Sequence, residues 1–162
     1  MDFGNIAPAD RGGHVGHLDP SSPHRLSLAR FVAAQGGVYE LALAELRAGQ
    51  KRTHWMWFVL PQLRGLGFSI MADRYGLEDL DEARAYLAHP VLGARLRECV
   101  EALLTHAEER KAGEILGVVD GIKLHSCLTL FDVAGGGALF GRALDAFFHG
   151  ERDRRTLQLL EG

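Results

Sequence analysis

Cysteine is scarce: Cys99 and Cys127 are the only two among 162 residues. That excludes a disulfide scaffold, and without a CxxC spacing it also excludes the usual zinc and thiol-redox motifs, so both are read as reduced thiols. No apolar run is long enough to span a membrane. The stretch from Met1 to Pro23 lacks the cationic start and continuous apolar core of a secretory signal. Positive charge is not in surplus either. Eighteen Lys and Arg stand against 21 Asp and Glu, for a net charge of -3 and a pI of about 6.2. No basic field is available to hold a polyphosphate backbone, which argues against nucleic acid as the principal partner. Phosphate loops are missing too: Gly12-Gly13 follows no strand, and Gly135-Gly136-Gly137 lacks the GK[ST] ending. With 47% hydrophobic and 24% charged residues, the chain is expected to form one folded cytoplasmic domain.

Clear strand alternation is nearly absent, whereas apolar residues at three- and four-residue steps are frequent. Residues 1–26, with Gly, Pro and His14, His17 and His24, are expected to be a flexible tail. Residues 27–162 are expected to form a single all-α domain of about six or seven helices. Leu28, Phe31, Val32 and Gln35 mark one helix face, with Ser27 as its cap. Val38, Tyr39, Ala42, Leu43 and Leu46 mark another, with Gly49 as its stop. Gly36-Gly37 makes a weak joint between them. Pro61 to Gly67 reads as a loop, and Phe68 to Ala72 is ambiguous. A helix at Asp79 to Leu87 should end before Pro90, and the next should start there, with Leu92, Leu96, Val100 and Leu103 on its stripe. Lys111 to Leu116, Gly121 to Phe131 and a segment ending near Gly150 are further helical candidates, and Asp153 is suited to cap a last one.

Two segments carry the chemistry. In Lys51-Arg52-Thr53-His54-Trp55-Met56-Trp57-Phe58 a histidine and two cations adjoin both tryptophans of the chain, and Gln62 follows. Lys51 can supply positive charge, His54 can exchange a proton near neutrality, Trp55 and Trp57 can stack on a ring, and Gln62 can read a polar edge. In the second segment Asp120, Lys123, Ser126 and Thr129 advance by three residues, forming a slowly drifting polar stripe on a helix. The catalytic candidates are His54, Asp120 and Lys123; the ligand-binding candidates are Lys51, Trp55, Trp57, Gln62, Ser126 and Thr129. A buried aromatic anchor beside a solvated basic loop, and a surface Asp120–Lys123 pair with Asp120 as a cap, are the structural alternatives. Cys127 beside His125 does not make a thiol protease, since adjacency in sequence does not supply the geometry. No metal-ligand spacing is present and no cofactor is implied.

Much of this pattern resembles the family catalogued as domain of unknown function 1810. The likeness is carried by Phe31, Gln35, Tyr39, Glu45, Lys51, His54-Trp55-Met56-Trp57-Phe58, Pro61-Gln62 and Gly65-Leu66-Gly67, then by His89-Pro90, Arg95, Asp120, Lys123, Ser126 and Thr129-Leu130-Phe131. It runs from about residue 27 to the C-terminus. The resemblance implies a small, mainly helical bacterial domain and brings no activity with it. The label calpastatin-like, attached to some members, does not fit, because those inhibitors are largely disordered and this composition predicts a packed core. Family members tend to have serine where this chain has Cys127, which argues against a serine-dependent role there. The functional expectation is a protein that binds or processes a small anionic ligand such as a nucleotide or ADP-ribose-type metabolite, by hydrolysis or group transfer if it is an enzyme. The rival is a non-enzymatic protein-interaction module that uses the aromatic segment.

Overall fold

The structure is a computed structural model that describes residues 23–162, with side chains from Leu28 onward. His14, His17 and the side chain of His24 lie outside the described residues, as does the expected tail up to residue 22. Among the described residues there are ten helices and no strand: α1 Pro23–Gln35, α2 Tyr39–Ala48, α3 Met56–Val59, α4 Ile70–Tyr75, α5 Leu80–Ala88, α6 Leu92–Leu104, α7 Ala112–Leu116, α8 Val118–Val133, α9 Ala138–Phe148 and α10 Arg154–Glu161. The class is all-α. Ten replaces the six or seven expected because three helices, α3, α4 and α7, are one or two turns long, too short to show a periodicity; seven helices have seven or more residues.

Local signals place most of the boundaries. α1 starts at Pro23, where a proline fits the first turn, so Ser27 lies inside the helix rather than capping it. The Gly36-Gly37 joint becomes a turn between two helices. Gly49 stops α2 in the left-handed region at φ 77°. The α2 carbonyls of Leu46 and Arg47 meet His106 Nε2 at 3.0 Å, and Arg110 donates to Gly49 O at 2.6 Å. Asp79 caps α5 and Asp153 caps α10, each accepting from the backbone N–H three residues on. α8 begins three residues before the expected Gly121. Gly117, at φ 94°, turns the chain from α7 into α8, and Val118 and Val119 then occupy an exposed first turn.

α8 is the central element, packed by α5, α7, α9 and α10, while α6 bridges α2, α5 and α9. An aromatic chain crosses the core. Phe31 of α1 meets Tyr86 of α5 edge-on at 5.2 Å, Tyr86 meets Phe131 of α8 at 5.4 Å, and Phe131 meets Phe140 of α9 at 5.9 Å. Such pairs add about 1 kcal/mol each beyond simple burial. On α1 the buried face is Leu28, Phe31 and Gln35; Val32 points outward instead of joining it. Gln35 is a buried polar hub. Its Nε2 donates to Phe58 O at 2.7 Å and Tyr86 Oη at 3.2 Å, and its Oε1 accepts from Arg95 at 3.2 Å. A short parallel bridge, Leu63 to Leu77, ties the loop after α3 to the strand-like residues before α5. No helix among the described residues is long and apolar enough to cross a membrane.

Candidate functional site

Residues 51–55 have no regular structure, and helix begins only at Met56. What orders them is Glu45, a buried carboxylate on α2. Its Oε1 accepts from Arg52 N at 2.9 Å, Thr53 N at 3.1 Å and Trp55 Nε1 at 2.8 Å, and its Oε2 accepts from Thr53 Oγ1 at 2.8 Å. Burial alone would push this carboxyl up, but the hydrogen bonds outweigh it and hold the group at about 2. Trp55 is consequently locked, with its ring fully buried. Glu45 was not among the sequence candidates, although an acid beside Leu46 on an otherwise apolar face was its signal.

This ordered strand of chain delivers Lys51 to α8. The backbone N–H of Lys51 donates to Ile115 O at 2.8 Å. Its Nζ donates to Thr53 O at 2.6 Å, lies 3.0 Å from Asp120 Oδ2 and sits 5.0 Å from the Trp55 ring centre. One turn along α8, Lys123 Nζ lies 3.6 Å from the other oxygen of Asp120 and 5.2 Å from the Trp57 ring centre. The two segments therefore meet. Two ammonium groups share one carboxylate, each over a tryptophan face, and the Lys51 side chain is only 8% exposed against 22% for Lys123. Asp120 is a first-turn residue of α8 and not its cap, which is Gly117.

Beside Lys123 a small cleft is lined by Trp57, Gln62, Ala72, Tyr75 and Gly76; its volume of about 10 Å³ suits a single water. His54 does not line it: the residue is exposed and has no hydrogen bond or ion pair among the described residues. Ser126 and Thr129 are elsewhere as well. An α-helix turns about 100° per residue, so the nine-residue step from Asp120 to Thr129 carries the stripe about 180° around α8. There Asp153 Oδ2 accepts from Ser126 Oγ at 3.2 Å, Thr156 N at 3.1 Å and Thr156 Oγ1 at 2.6 Å. Thr129 Oγ1 accepts from Asp153 N at 2.8 Å and donates to His125 O at 2.8 Å. This network docks α10 on α8 and leaves neither hydroxyl open.

Nucleophilic chemistry has little support. Cys99 and Cys127 are buried and free, and burial pushes both thiols up, that of Cys99 to about 12. Among the described residues no group of three or more His, Cys, Asp or Glu is arranged to hold a metal ion. A larger groove of about 780 Å³ lies between the α6–α7 connection, the start of α8 and the end of α9. It contains none of the candidate residues. Its lining carries Glu108, Glu109 and Glu114 against Arg110 and Lys111, a balance of -1, beside His125 and His149.

The fold and this cluster define a compact all-α domain with a Lys–Asp–Lys arrangement braced by two tryptophans. Residues 25–160 match the model of a family described as protein of unknown function, DUF1810, and the chain belongs to that family. It is similar to the conserved hypothetical protein Rv1873 from Mycobacterium tuberculosis, whose crystal structure was determined at 1.38 Å; the two share 48% identity and a TM-score of 0.81 over 85% of this chain and 99% of that one. No functionally curated protein matches.

Proposed function

We propose that the protein binds a small anionic ligand, of the size of a phosphate-bearing metabolite, at the mouth of the Trp57–Gln62–Lys123 cleft. The observation that carries this reading is the sharing of one carboxylate by two lysines: Lys51 and Lys123 converge on Asp120 from opposite oxygens, which leaves one positive charge in excess. Lys51 is nearly buried, with Thr53 O and Asp120 as close partners, and mainly fixes the cluster. Lys123, with only the longer 3.6 Å contact, is the cation that a ligand engages. Trp57 and Gln62 flank it with a ring face and an amide. Should the protein also process its ligand by hydrolysis or group transfer, Asp120 and Lys123 are the groups at hand, since His54 stands outside the cleft. The reading keeps the protein in the cytoplasm, in line with its two free cysteines.

The rival, an aromatic docking patch, is opposed by burial: Trp55, Met56 and Phe58 are at most 7% exposed. The test is a thermal-shift titration with inorganic phosphate and pyrophosphate. Wild type should gain stability with rising anion concentration, about 2.7 kcal/mol at one hundred times Kd, and Lys123→Gln should gain little. Equal stabilisation of both proteins would remove Lys123 from the site.

A further inference from the structure

Phe68 and Ile70, 89% and 79% exposed, lie within four residues of Ala72 in the cleft lining. They belong to a flap, residues 65–76, whose two ends are clamped together at its base. Arg64 N donates to Leu77 O at 2.8 Å and Leu77 N donates to Gln62 O at 2.9 Å. Beyond the clamp the flap is fixed asymmetrically. Its C-terminal end is pinned: Tyr75 packs on Phe58 at 5.3 Å and Phe31 at 5.9 Å, and Arg30 donates to Arg74 O at 2.7 Å and Gly76 O at 2.8 Å. The rest is held less firmly: Leu66 and Met71 are half-buried against the core, but Phe68, Ser69 and Ile70 between them are exposed, α4 has no buried residue, and Gly65, at φ 101°, makes the turn that opens the flap. Yet this looser part touches the cleft wall: a methyl group on Gly67 would stand 2.8 Å from Ala72 Cβ and 3.6 Å from Gln62 Nε2.

From this arrangement we infer that the flap is a lid whose Phe68 covers a planar ring seated against Trp57, so that the site selects ring-bearing anions over bare phosphate. The inference rests on the anion reading above and adds the ligand's second half. A side chain as large as Phe68 loses hydrophobic free energy in water for as long as nothing covers it. A lid whose exposed tip, residues 67–70, moves on the clamped base both widens the water-sized cleft and brings Phe68 to the opposite face of the ligand. Stacking between two aromatic faces is worth about one order of magnitude in affinity.

The experiment compares AMP, adenosine and inorganic phosphate as probes, by calorimetric titration and by hydrogen exchange over residues 65–75, in wild type and Phe68→Ala. Because Phe68 is exposed, the variant keeps the fold, and an unchanged Tm without ligand verifies this. The expected result is AMP binding about tenfold tighter than phosphate, with exchange in the flap slowed by AMP and not by phosphate. In Phe68→Ala, AMP falls to the phosphate level and phosphate is unaffected. Phosphate binding combined with equal AMP affinity in wild type and variant would overturn the lid alone. Absence of binding by both AMP and phosphate in wild type would overturn the anion reading and the lid with it. Adenosine binding as tightly as AMP would show ring capture without the anion and overturn the anion reading too.

Discussion

The two halves of one helix stripe behave differently. Asp120 and Lys123, at the start of α8, face a loop and two tryptophans, with two cations on a single carboxylate. Ser126 and Thr129, one and two turns later, face α10, where every polar atom finds a partner within the protein. A closed set of hydrogen bonds contributes stability and specifies how helices dock. An unbalanced cluster of charges gains less from its own contacts and retains capacity for a ligand. The contrast separates residues that hold the fold from residues to which the proposed function assigns binding, even though all four belong to one i, i+3 series.

The largest expected effect lies beneath the open half. Glu45→Ala strands Trp55 Nε1 and the backbone donors of Arg52 and Thr53, and should lower unfolding stability by about 3 kcal/mol in denaturant melts. Its carboxyl is held at about 2, below its ordinary value of 4.5. The stability it contributes is therefore complete above about pH 4.5 and is lost as the pH falls toward 2. Melts of wild type and Glu45→Gln over that range should converge at the acid end; parallel curves would mean that Glu45 is not the group responsible. Next in size, Asp153→Ala removes the α10 cap and the acceptor of Ser126, for a loss of about 2 kcal/mol with phosphate affinity unchanged. A marked fall in affinity would break the division between the two halves. Smallest in stability, Asp120→Asn should cost about 1 kcal/mol while raising phosphate affinity about fivefold, because it removes the negative charge that competes for both lysines. Weaker phosphate binding in this variant would instead make Asp120 part of the recognition.

Where local chemistry controls an outcome, the residues could be read directly. Gly49 as a helix stop and Asp153 as a cap follow from backbone freedom and from a carboxylate's reach to an N–H three residues on. The stripes on α2 and α6 likewise follow from period. One- and two-turn helices escape, since Met56 to Val59 never completes a repeat. The candidate site divides the same way. Lys51, Asp120, Lys123 and the tryptophans stand together, yet their residue types disclosed only capacity for charge and stacking. Ser126 and Thr129 had the same polar appearance, and it took the rotation of α8 to assign them to α10. His54 drew notice through its neighbours in sequence, but those neighbours turn inward at Met56 while it stays in solvent.

By itself the sequence determined an all-α domain, the main helices and the two segments worth joining, because hydrophobic period, caps and breakers act over a few residues. Only the tertiary structure decided that Glu45 would brace the tryptophan segment, that Lys51 would cross to Asp120, and that the cleft beside Lys123 would sit under a loosely held flap. Those outcomes depend on contacts between residues far apart in the chain, such as Lys51 with Asp120. Local propensity has no hold over that distance; only the packing of the whole core brings the pair together.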